Sequence, residues 1–72
     1  MMLQFVLYTT RNVVWIDPLN VSAVRQGVKS GWRVALIQMK EGSLHLVWDD
    51  DLTVGEQIHK AKQAFFASLG AE

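Results

Sequence analysis

Between Trp32 and Met39 apolar residues fall on both sides of the chain. In a strand, Trp32, Val34 and Leu36 point one way, and Ala35, Ile37 and Met39 the other. An antiparallel strand in a small domain ordinarily keeps one face wet and alternates apolar with polar. Two apolar faces need two covers. The rest of the pattern offers one helix, so the second face calls for another copy of the chain or a different partner.

The flanking pattern predicts the other elements. Leu3 to Thr9 is a first strand, with Leu3, Phe5 and Leu7 on one face and Gln4, Val6 and Tyr8 on the other. Thr10-Arg11-Asn12 is a short turn in which Asn12 suits the positive φ of a tight hairpin. Val13 to Ile16 is a β-branched and aromatic second strand. Asp17-Pro18-Leu19-Asn20 interrupts it as an edge, a bulge or a bend, because Pro18 has no N–H for a ladder. Val21 to Arg25 resumes as a strand or a single helical turn, and Gln26 to Gly31 is a loop. After the central strand, Lys40-Glu41-Gly42-Ser43 is a hairpin turn, with Gly42 at a left-handed position, and Leu44 to Trp48 is the last strand.

Asp49-Asp50-Asp51 ends the sheet. Thr53-x-x-Glu56 has capping-box spacing, and the acidic run favours the positive end of the helix it introduces. Val54, Ile58, Ala61, Phe65 and Leu69 form its apolar stripe, with Lys60 and Lys62 off it and Gly70 as its cap. The expected fold is one α+β domain over residues 1–72. It is a four- to five-stranded antiparallel meander with a C-terminal helix, and a partly closed barrel is the variant of that arrangement.

Composition sharpens the case for association. Seventy-two residues bury proportionately little surface. Small domains compensate with disulfides, a metal or oligomerisation, and the chain has no cysteine and two histidines. Half its residues are hydrophobic and three are tryptophan. Aromatic side chains are enriched at interface hot spots. The interface candidates are therefore Trp15, Trp32, Ile37, Met39, Trp48 and Phe66, and the expected partner is a second copy or another protein. No apolar run reaches the length of a membrane span, and Met1-Met2-Leu3-Gln4-Phe5 lacks the features of a signal peptide, so a cytoplasmic location is expected.

Candidate chemistry is thin. Glu56-x-x-His59 has a spacing used by di-metal helical bundles, which need more helices than this chain offers. The acidic run lacks the alternating ligands of a calcium loop and reads as a helix-capping turn. His45 has no adjacent nucleophile. No catalytic, cofactor or metal residue is assigned; an enzyme would need a site assembled between subunits from His45, His59 and the acidic cluster. Arg11, Arg25, Lys29 and Arg33, with Tyr8 and Trp32, are the elements of a basic-aromatic surface for single-stranded nucleic acid. Seven basic against seven acidic residues disfavours that class, which ranks second to a non-enzymatic interaction or regulatory module.

The segments Ile16-Asp17-Pro18-Leu19-Asn20-Val21-Ser22-Ala23-Val24, then Ile37-Gln38-Met39-Lys40-Glu41-Gly42-Ser43, then Val54 to Ile58, form a pattern of their own. In it the middle of the chain resembles the small flagellar and swarming-motility protein family. The family's first turn commonly carries Asn-Gly, where this chain has Arg11-Asn12-Val13, and its members are usually more charged and lack three tryptophans. The resemblance implies the strand-then-helix order and carries no catalytic residue.

Overall fold

The computed structural model describes residues 2–29 and 31–70, with the side chains of Val28, Lys29 and Trp32 outside that description. Five strands and one helix follow in the order β1 (Leu3–Val6), β2 (Val13–Ile16), β3 (Val21–Lys29), β4 (Trp32–Met39), β5 (Leu44–Val47) and α1 (Asp51–Gly70). The class is α+β. The strands divide between an antiparallel pair, β1-β2, and an antiparallel three-stranded sheet, β3-β4-β5.

The two sheets meet along one seam. Leu7 forms an isolated bridge with Val47. On either side of it the Tyr8 N–H donates to the Leu46 carbonyl (2.8 Å) and the Trp48 N–H to the Val6 carbonyl (2.9 Å). The first strand therefore stops at Val6 rather than running to Thr9, and the chain beyond it turns at residues 8–12. In that turn Arg11, not Asn12, takes the left-handed conformation, with φ 64°. Its N–H donates to Leu7, and the Leu7 N–H donates to Asn12.

Pro18 is accommodated by a 3₁₀ turn, Pro18–Asn20, where its missing N–H is not required. Asp17 caps that turn, its carboxylate accepting from the Leu19 N–H at 3.0 Å. The register then slips at Ser22: Val21 faces Met39 and Ala23 faces Gln38. This bulge turns both Val21 and Val24 to the same side, which a regular strand would not do at a spacing of three. The predicted loop over Gln26 to Gly31 is instead strand as far as Lys29, because pairing with β4 overrides the local glycine signal; Gly27 stands opposite Val34. Gly42 takes the predicted left-handed conformation, φ 104°, in the β4–β5 hairpin.

The core lies between the sheets and the first half of α1. Phe5, Ile16, Val21, Ala35, Ile37, Met39, Val47, Val54 and Ile58 form one cluster, with Leu3, Leu7, Val14 and Val24 packed against it. Helix α1 lies over β3, β4 and the 3₁₀ turn. Its start differs from the Thr53 capping box. Asp50 is the cap: its carboxylate accepts from the Thr53 N–H at 2.7 Å, and its carbonyl from the Val54 N–H. An acidic residue one turn earlier does the same job, and that leaves Glu56 to pair with Lys60 at 2.7 Å.

Candidate functional site

The face of the strands away from the core is the candidate site. Alternation from the Leu7–Val47 bridge sets its members. Gln4, Val6 and Tyr8 point outward from the first strand and its extension, and β2 sets Val13 beside Val6 and Trp15 beside Gln4. From the three-stranded sheet come Val34, Leu36, Leu44, Leu46 and Trp48.

This outer face is not uniformly bare. At the β4 end Val34 is fully buried, against Gly27, where an added Cβ would stand 3.1 Å from the Val34 Cγ2. Leu36 and Leu46 are half-buried. Along the seam the Tyr8 and Trp48 rings meet at 4.7 Å between centroids, tilted by 41°. The Arg11 guanidinium lies 4.9 Å over the Trp48 ring, a cation–π contact. At the β1–β2 end, by contrast, Val6, Val13 and Trp15 lie side by side and exposed, Trp15 at 58%. Leu44 is equally exposed beyond Leu46.

The interface candidates thus fall into four places. Trp15 is exposed in the bare patch. Trp48 is half-buried between Tyr8 and Arg11. Ile37 and Met39 are buried in the core cluster, their face covered by the chain's own β1-β2 pair and helix. Phe66 is 60% exposed on the second half of α1. The side chain of Trp32 lies outside the described residues. The β4 face predicted to need a second cover is thus closed by the chain's own elements: ten residues of turn and bend, six before β2 and four after it, let the short pair fold over that core face, and the outer side of β1-β2 is exposed.

A second apolar surface follows from the helix. Val54, Ile58 and Ala61 are buried. Beyond Lys62 every described residue of α1 is exposed, including Phe65, Phe66 and Leu69. The stripe predicted as continuous core reaches past the sheet that should cover its last two turns. Lys62 marks the edge, its ammonium donating to the Val21 carbonyl at 3.1 Å.

The polar candidates are dispersed. The Thr53 N–H bond holds the Asp50 carboxyl below its ordinary value, with a smaller contribution from Arg33. The Lys60 ammonium lowers Glu56, and Glu56 raises Lys60 in turn. The Ser43 hydroxyl donates to Glu41 and lowers its carboxyl. His45 is half-buried opposite Ile37, and His59 is exposed on α1. Among the described residues no group of three or more His, Cys, Asp or Glu side chains is placed to hold a metal ion. Of the basic-aromatic surface, Arg11 reaches an aromatic ring, Arg25 and Arg33 lie apart on β3 and β4, and the Lys29 side chain falls outside the described residues. No described helix is long and apolar enough to cross a membrane. Set against protein-family models, curated proteins and solved structures, the chain matches none.

Proposed function

We propose that this chain is a small non-enzymatic association module that works as a homo-oligomer in the cytoplasm. The observation that carries the reading is the Val6–Val13–Trp15 patch, three large apolar side chains bare on one sheet face. An exposed tryptophan flanked by β-branched residues on rigid strands is a hot-spot arrangement: large contact area at low entropic cost. The finer fold belongs to the same proposal. The seam at Leu7–Val47 joins the strands in the order β2-β1-β5-β4-β3, one curved antiparallel sheet closing toward a barrel. Membership of the flagellar and swarming-motility family is likewise proposed, on the order of strand pair, Pro-containing bend, Gly-turn hairpin and helix.

The test is solution mass by size-exclusion chromatography with light scattering over a concentration series. A mass that rises above 8.1 kDa with concentration supports the reading, and a clean monomer throughout refutes it.

One observation favours a second reading, a nucleic-acid-binding module: Arg11, Tyr8 and Trp48 do assemble a basic-aromatic cluster. Against it, the Arg11 guanidinium occupies the ring face on which a base would stack. Oligonucleotide binding that weakens steeply with salt would promote this reading.

A further inference from the structure

We infer that the outboard half of α1 pairs antiparallel with the same segment of a second copy, about a twofold axis near Phe65 and Phe66. This rests on the association reading above and names its first partner. The body is drawn out, 48 Å long against 20 and 19 Å across, with a radius of gyration of 12.7 Å where about 11 Å is typical of a compact chain this size. Nine residues of α1, from Lys62 to Gly70, extend roughly 13 Å beyond the last buried position, Ala61. They are mostly apolar or small.

Two features point to a second copy as the occupant. The first is self-complementarity. At 100° per residue Lys62, Phe65, Phe66 and Leu69 share one stripe, and an antiparallel twofold sets Lys62 against the partner's Leu69 and the phenylalanines against each other. The second is charge. The last turn of α1 holds no basic residue, so its carbonyl end has no cation of its own. Antiparallel pairing brings the partner's Lys62 beside that end; its ammonium donates to Val21 and has two further protons to offer. Area sets the strength: Phe65 at 41%, Phe66 at 60% and Leu69 at 63% exposure leave about 300 Å² of apolar side chain per copy, about 600 Å² for the pair, which makes it a weak, transient contact.

The experiment compares wild type, Phe66→Asp and Trp15→Ser by sedimentation equilibrium over a concentration series. Both substituted positions are exposed, so the fold itself is retained, and circular dichroism checks it. The expected result is a wild-type dimer whose dissociation constant rises about 30-fold or more in Phe66→Asp. An oligomer unchanged in Phe66→Asp but lost in Trp15→Ser overturns the helix pairing while sparing the association reading. A monomeric wild type overturns both. Orientation is read from Lys62→Cys and Leu69→Cys under mild oxidation, in a chain with no other cysteine. Cross-linking only when the two variants are mixed supports the antiparallel pair. Cross-linking of either variant alone, or none in the mixture, overturns it.

Discussion

Ile58 and Leu69 sit on one stripe of one helix, and the structure assigns them opposite energetics. Ile58 is buried beneath the sheets at 4% exposure, whereas Leu69 is exposed. Ile58→Ala removes three carbons from the core, about 2.4 kcal/mol of transfer free energy at roughly 0.8 per group. The cavity left between Val54, Ile37 and their neighbours adds about 1 kcal/mol, for a total of about 3.5. A domain of this length holds about 4–11 kcal/mol in all, so the variant loses a large share of its stability. Its melting temperature should fall by roughly 15–25 °C. Leu69→Ala removes the same number of carbons from a side chain already in water. In dilute solution it should change stability by less than about 0.5 kcal/mol. Urea titration followed by tryptophan fluorescence reads both, at the lowest workable protein concentration. Equal losses at that concentration would refute the reasoning, because they would mean that the end of α1 packs on its own body.

Two further outcomes follow from local geometry. Asp50 has a lowered carboxyl pKa in the folded chain, so its contribution is present above the ordinary value of 3.8 and is lost as pH falls through the lower folded value. Urea midpoints of Asp50→Asn should accordingly fall less than those of wild type on acidification below that value, and an identical acid limb would remove Asp50 from the cap. Gly27→Val forces a branched side chain against the Val34 Cγ2 and carbonyl; it should cost about 1–3 kcal/mol by overpacking in the same urea assay. A neutral result would mean that the outer side of β3 yields freely.

Element type was legible wherever period and turn chemistry agreed. Trp32–Met39 alternates imperfectly but carries β-branched residues between two glycine turns, and it is a strand with those bounds. Gly42 and Pro18 marked a left-handed turn and a bend for reasons of φ and a missing donor. The boundaries that differ were decided by partners distant in sequence. Gln26 to Lys29 joins the sheet because β4 is long enough to pair with it. Arg11 takes positive φ because the Leu7–Asn12 closure puts that conformation one residue before the asparagine. Of the interface candidates, the pattern alone does not say which are exposed: Trp15 and Phe66 are, whereas Ile37 and Met39 lie in the core, and nothing local distinguishes the two pairs.

The division of α1 at Lys62 also grades its order. Inboard of that point the helix is held by buried contacts; outboard it depends on local propensity, and nine residues are too few to sustain a helix alone in water. Backbone amides from Phe65 onward should therefore exchange with deuterium far faster than those between Ile58 and Ala61 in dilute solution. Anything that seats on the outboard turns has to arrest that fraying, and the ordering cost is deducted from its affinity. If the proposed pairing of α1 holds, its last two turns act as a rheostat: how much of the helix is formed depends on how much of the second copy is present.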